Sequence, residues 1–263
     1  MLIYGTGMYV MERMSPQSNV ARGRLPFFFF FLGLTNLMFN WGHHTYIVPA
    51  ARWVKDVSYF ISMTELLIIG YIIFKWRRTV TEARKNYHQI PFRLLSFADA
   101  WVFLNLALAI IISIPAINRF THGTHITVAH AMGATIGINT MLLFASVFFI
   151  LQDIRPAILR MKKKIVGAGI LITNIALFLF WVSLIDTGIV KIQTNINHEG
   201  FYKMLEKSQL FFKAFTYSGI FIFIGLAVLI LTAMKILISK RKKKPVAISK
   251  SSIVQEKLEK SLG

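Results

Sequence analysis

Six long runs of apolar residues constrain this chain more than any other feature of its sequence. They lie at 25–41, 57–74, 99–117, 126–151, 166–187 and 214–238. About 20 apolar residues in a helix cross a bilayer core of about 30 Å, so these runs have the lengths of membrane spans. Charged residues fall almost entirely between the runs. The sequence therefore predicts an all-α integral membrane protein with six transmembrane helices.

The distribution of basic residues predicts the orientation of these helices. The formal net charge is +19, and most of the 30 Lys and Arg residues lie in four places. These are the segment before the first run, the links after the second and fourth runs, and the segment after residue 238. Cytoplasmic loops are rich in Lys and Arg, so both termini are predicted to be cytoplasmic. The Lys and Arg residues then set the orientation of the helices and contact lipid headgroups, and we expect no nucleic-acid binding.

Two flanking segments differ from the six-helix transmembrane domain, which we place at 25–238. Residues 1–11 are apolar but about half as long as a span, and a basic link follows up to residue 24. This region is either the cytoplasmic end of a truncated helix or a short interfacial anchor. Residues 239–263 are predicted to form a basic cytoplasmic tail. The chain has no cysteine, so a metal site would use His, carboxylate or Met.

Two polar features lie on the first two runs. His43 and His44 follow Gly42 at the outer end of the first run, and Glu65 lies near the middle of the second. The two histidines are either metal ligands, since imidazole commonly binds iron, copper and zinc, or interfacial residues bonded to water or lipid headgroups. Adjacent histidines on a helix point about 100° apart, so a shared metal requires the helix end to loosen. A carboxylate within a span marks a metal ligand, a proton relay or an ion path.

Further histidines lie at the start of the fourth run. His130 is about one turn inside it, and heme iron is a common partner of a buried helical histidine. The alternative is a core histidine with an ordinary hydrogen-bond partner. Small residues such as Gly133 and Gly137 would let another helix, or a flat macrocycle, approach closely. His122 and His125, in the preceding link, are either metal or carboxylate ligands or simply exposed.

The predicted topology brings the main histidines to one level of the membrane. The first run ends, and the fourth begins, on the outer face, so His43, His44 and His130 have similar depths. The two motifs that carry them read GHHTY at 42–46 and THGTHITVAH at 121–130. Together they resemble the catalytic subunit of the heme–copper oxidase superfamily, and most of all its nitric-oxide-reductase branch.

This resemblance implies a ligand set. His130 would be the proximal ligand of a high-spin heme b, and His43 and His44 would supply two imidazoles to a facing non-heme iron. Glu65 falls 21 residues after His44, where the reductases carry a carboxylate near the binuclear centre. The implied activity is that of a membrane-bound, heme-dependent oxidoreductase that converts two NO, two electrons and two protons to N₂O and water.

One departure from the family lies beside His130. The family pattern is His-x-His, whereas this chain has His130-Ala131-Met132. Residues two apart on a helix point about 200° apart, which lets the family's pair serve two hemes on opposite faces. Met132 is therefore a candidate ligand of a second, low-spin heme, because a thioether also binds heme iron. The alternative is that Met132 only packs.

The resemblance covers nearly the whole chain and implies the second, C-terminal half of a twelve-helix subunit I. The third non-heme ligand and one low-spin heme ligand would then come from an upstream half or a separate subunit. It also implies a bacterial inner-membrane location and cytochrome c or quinol as electron donor. Two alternatives stay open. One is an oxygen-reducing cytochrome oxidase with copper as the facing metal, against which Glu65 argues. The other is a non-catalytic heme-binding or scaffold subunit.

Overall fold

The computed structural model describes residues 2–22, 24–39, 49 and 51–239, apart from the side chains of 2–4, 25, 29, 33, 36–39 and 61–68. Within these residues the chain is helical and has no strand. The helices are α1 (Leu2–Met14), α2 (Arg24–Phe39), α3 (Arg52–Thr79), α4 (Glu82–Tyr87), α5 (Gln89–Ser113), α6 (Pro115–Thr121), α7 (His125–Met132), α8 (Met141–Ile154), α9 (Pro156–Ile196) and α10 (Phe201–Ile238). A 3₁₀ turn (Pro16–Ser18) follows α1, and a π-helical segment (Gly133–Thr140) joins α7 to α8.

Four segments of the described chain are long and apolar enough to cross a membrane. They are Gln89–Ser113, His125–Ile154, Pro156–Ile196 and Phe201–Ile238. These coincide with the last four of the six predicted spans, which are thereby confirmed by length and composition. The predicted spans 25–41 and 57–74 fall on α2 and α3, where part of each lies outside the described residues. The count of six spans therefore stays a prediction, and the predicted tail lies mostly outside the described residues.

Proline residues set several helix boundaries. The predicted span 99–117 is divided between α5 and α6 because Pro115 begins α6 and the preceding Ile114 is extended, with ψ of 121°. A residue before proline disfavours the helical conformation, and proline suits the first helical position. In the same way Pro156 begins α9 directly after Arg155, where φ is −137°. Proline thus divides one apolar run into two helices and sets the start of another helix.

Helices α9 and α10 pair along their length as an antiparallel hairpin. The connection is short, and His198 closes it with a left-handed φ of 53°. A Cβ placed on Gly225 would lie 2.9 Å from the backbone nitrogen of Thr173, so α10 approaches α9 closely at this point. Close approach at small residues is how membrane helices gain packing energy.

The largest apolar core joins α1, α3, α5 and α8. Met11, Trp76 and Phe148 are buried there, and Trp76 Nε1 donates a hydrogen bond of 3.0 Å to the carbonyl oxygen of Met11. A Cβ on Gly7 would lie 2.9 Å from a methyl group of Leu142, so α1 packs directly on α8. The N-terminal apolar segment therefore belongs to the helix bundle. Whether this segment is the end of a truncated helix or an interfacial anchor stays a prediction.

Two buried carboxylates at this end of the bundle have cationic partners. Asp99 Oδ2 accepts a hydrogen bond of 2.9 Å from Arg77 Nε, and only 3% of the Asp99 side chain is exposed. Glu12 pairs with Arg22 at 2.9 Å and also accepts from the Ala21 backbone N–H at 2.7 Å. Burial of a charge is costly unless it is paired, so these pairs hold α3 to α5 and fix the link after α1.

Candidate functional site

The link before α7 forms a capped turn. Gly123 has a φ of 70°, and Thr124 is the N-cap of α7, with its Oγ1 accepting from the Ile126 N–H at 3.3 Å. Threonine at this position satisfies a backbone donor that the helix leaves open. Lys191 Nζ on α9 donates to the Gly123 carbonyl oxygen at 2.9 Å. The Thr-His-Gly-Thr motif thus fixes where the histidine-bearing helix begins.

His130 lies in α7, inside a membrane-spanning segment, and its side chain is partly buried. Its neighbour Ala129 is fully buried, with an exposed fraction of 0%. The π-helical segment begins at Gly133, three residues further on, and such segments are frequent at functional sites. An imidazole on a buried helix face is a suitable donor for heme iron. The chemistry of His130 therefore fits a heme ligand.

The small residues after His130 serve the packing of α5. A Cβ on Gly137 would lie 2.4 Å from Trp101 Cγ, and a Cβ on Gly133 would lie 2.4 Å from Asn105 Oδ1. Both partners are on α5 and are buried. The sequence left open whether these glycines admit a helix or a flat macrocycle. At these two positions the helix α5 occupies the space, so the glycines serve helix packing.

A buried polar chain fixes α5 against α8 and α9. Trp101 Nε1 donates a hydrogen bond of 3.0 Å to Asn174 Oδ1, and Asn174 Nδ2 donates to the Ile170 carbonyl oxygen at 2.8 Å. The same amide nitrogen lies 3.5 Å from Met141 Sδ, at the start of α8. These contacts set the position of the π-helical segment relative to its neighbours.

Met132 is partly buried and packs against a second apolar cluster on the α7 side of the bundle. The buried members of this cluster are Leu108, Ile112, Ile126, Ala129 and Leu184. The thioether thus has an apolar environment, which is compatible with the packing interpretation. Its ligation of a second heme stays a prediction.

His125 occupies the first position of α7. Its ring contacts the Phe212 ring edge to face, with centroids 5.5 Å apart and planes at 72°. Its Nδ1 is buried and accepts or donates no hydrogen bond within the described part of the chain. His122 is partly buried in the preceding turn. His125 thus lies beside the α9–α10 hairpin.

The other predicted site residues lie outside the described structure in whole or in part. His43 and His44 fall in 40–48, and Glu65 lies on α3 with its side chain in the undescribed range 61–68. Among the residues that are described, no group of three or more His, Asp or Glu side chains could hold a metal ion. The facing-metal site therefore stays a prediction.

The described fold is that of a helical membrane protein with four segments long and apolar enough to span a bilayer. The family model "Cytochrome C and Quinol oxidase polypeptide I" matches residues 1–221, and the chain belongs to this family. No curated protein matches the chain. Members of the family are heme-dependent membrane oxidoreductases that typically bind heme and a metal centre and work with other subunits and membrane lipid. The predicted superfamily is thus confirmed, and so is the membrane location.

Proposed function

We propose that this chain is the catalytic part of a nitric-oxide-reductase-type respiratory complex. The reaction joins two NO molecules, with two electrons and two protons, to give N₂O and water. The observation that carries the proposal is the spacing of Glu65, 21 residues after His44, in a chain that belongs to the oxidase family. A carboxylate within a span is costly and usually functional.

Each of the proposed site residues has a distinct task. His130 would hold the heme iron, while His43 and His44 would hold a non-heme iron on the facing side. When bound, the two irons would supply Lewis-acid and redox chemistry to a ligand between them. Glu65 would accept a proton from the outer side and pass it towards the reacting oxygen. The third imidazole would come from an upstream half or another subunit of the complex.

The described structure supports a fixed position for the His130 imidazole. Thr124 caps the helix that carries it, and Lys191 ties the preceding turn to α9. On the other side, Gly133 and Gly137 admit α5 at close contact. Because the helix that carries His130 is held at both ends, the residue loses little additional conformational freedom when it binds iron, and this favours tight coordination.

Metal and heme analysis of the assembled membrane complex tests the proposal. We expect iron and no stoichiometric copper. His43→Ala and His44→Ala should each lower non-heme iron and leave heme content largely intact, because an under-coordinated metal binds weakly. His130→Ala should remove the high-spin heme signal. Glu65→Gln should keep both metals and slow turnover.

His198→Asn is the matched control, since His198 is exposed on the α9–α10 turn and asparagine tolerates its left-handed backbone. This variant should keep all metals. Stoichiometric copper in the wild type would favour an oxygen reductase. Absence of a heme Soret band from the complex would favour a non-catalytic scaffold. An unchanged heme spectrum in His130→Ala would mean that the axial ligand lies elsewhere.

A further inference from the structure

A cavity of about 470 Å³ lies at one end of the bundle, between the start of α5, the end of α8 and the start of α9. Gln89, Gln152 and Pro156 line it. Gln89 and Pro156 are the first residues of two membrane-spanning segments, and Gln152 lies two residues from the end of a third. Because the apolar run 126–151 ends next to Gln152, the cavity lies beside the edge of the apolar layer, at the level of the lipid headgroups.

The wall of this cavity is basic on the α9 side. Arg160 and Lys163 line it, and among its described lining residues there is no carboxylate. With Pro156 and Leu159 they follow the spacing i, i+3, i+4 and i+7, which puts them on one helix face. Basic pockets between membrane helices suit phosphate-bearing lipid headgroups.

The remaining wall suits the other parts of a phospholipid. Ile90 and Leu159 are buried apolar residues that line the cavity next to its polar groups. Gln152 is 8% exposed and donates through Nε2 to the carbonyl oxygen of Tyr87, which holds α8 to the end of α4. The cations suit the phosphate of a phospholipid, and the apolar surface beside them suits its glycerol backbone and first acyl carbons.

We propose that this cavity binds the phosphate group of an anionic phospholipid from the leaflet on the basic side of the membrane. Arg160 and Lys163 contact the phosphate, and Ile90 and Leu159 contact the glycerol and the first acyl carbons. The proposal does not depend on the reaction that the complex performs, because no heme or metal ligand takes part.

Lipid binding to the full-length protein tests the proposal. The wild type, in detergent, is titrated with phosphatidylglycerol, with phosphatidylcholine and with inorganic phosphate, and bound lipid is counted by native mass spectrometry. Thermal unfolding of the same samples gives a second readout, since a ligand of the folded state raises the unfolding temperature. We expect retention of phosphatidylglycerol over phosphatidylcholine and no comparable effect of inorganic phosphate.

The charge-matched variants decide whether the site is local. Arg160→Gln/Lys163→Gln should bind phosphatidylglycerol about 30-fold more weakly, as expected for the loss of two cations near a lipid phosphate. Lys162→Gln/Lys164→Gln removes the same charge from residues outside the cavity wall and should bind as the wild type does. Arg160→Lys keeps the charge and should retain most binding.

Three results would overturn the proposal. An equal loss of phosphatidylglycerol affinity in both double variants would mean that the lipid is attracted by the basic surface as a whole and not by this cavity. Equal retention of the two lipids would remove the role of the anionic group. Binding of inorganic phosphate as tight as that of phosphatidylglycerol would replace the lipid with a free anion.

Discussion

The contact between Gly137 and Trp101 gives the sharpest test of how α5 packs on the histidine-bearing span. Gly137→Ala places a Cβ 2.4 Å from Trp101 Cγ and 2.5 Å from Cδ2. Trp101 is 3% exposed and is anchored by its hydrogen bond to Asn174, so the indole has little freedom to yield. Overpacking of a core costs about 1–3 kcal/mol. Loss of the hydrogen bond adds about 0.6 kcal/mol, the average between membrane helices.

Gly70→Ala is the matched control for this substitution. Gly70 lies within α3, and a Cβ there would meet nothing within 4 Å. Both substitutions gain the same helix propensity, about 1 kcal/mol at most, so this contribution cancels in their difference. We expect Gly137→Ala to have a free energy of unfolding about 1.5–3.5 kcal/mol lower than Gly70→Ala.

The assay is reversible unfolding in mixed micelles, followed by tryptophan fluorescence or circular dichroism. A double-mutant cycle with Trp101→Ala should show positive coupling, because removal of the indole leaves the new methyl group room. Equal stability of Gly137→Ala and Gly70→Ala would refute the packing that we describe. The packing would also be refuted if the effects of Gly137→Ala and Trp101→Ala on the free energy of unfolding were additive.

Three further predictions follow from buried polar groups and from the family motif. Arg77→Met should lower the free energy of unfolding by about 1–3 kcal/mol, because it leaves the buried Asp99 without its cation, and adding Asp99→Asn should recover part of this loss. Burial lowers the pKa of His88 below its ordinary value of 6.5. Protonation then favours the unfolded chain, so stability should fall as the pH drops below about 6.5, and His88→Phe should flatten this dependence in unfolding titrations. Met132→Leu should leave stability within about 1.5 kcal/mol of the wild type, as for similar-sized apolar replacements, and should abolish a low-spin heme signal only if Met132 is a ligand.

Hydropathy predicted where the chain meets the membrane better than where its helices end. The predicted span 166–187 lies within α9, which continues from Pro156 to Ile196. Helix propensity does not stop at the bilayer surface, and lysine is a good helix former, so the basic segment before the span stays helical. Conversely, Pro115 ends a helix inside an apolar run that hydropathy treats as continuous.

The residues of the candidate site stay a prediction from the sequence, whereas the surroundings of His130 came only from the structure. The motif spacing singled out His130, and the small residues after it indicated a close neighbour. Periodicity cannot tell which element fills that space, because the partners Asn105 and Trp101 lie 28 and 36 residues before the glycines they contact. The π-helical segment at Gly133–Thr140 was also missed, because hydropathy and periodicity do not separate a π-helical turn from an α-helix in an apolar run.

The central claim is tested most directly by the gas that the complex produces. The assembled complex, in anaerobic membranes with an artificial electron donor, is supplied with isotopically labelled NO, and labelled N₂O is followed by mass spectrometry. The account predicts one N₂O for every two NO consumed, with little product from Glu65→Ala or His43→Ala and normal product from His198→Asn. NO that disappears without N₂O, or a complex that reduces O₂ rapidly and leaves NO unchanged, would contradict it.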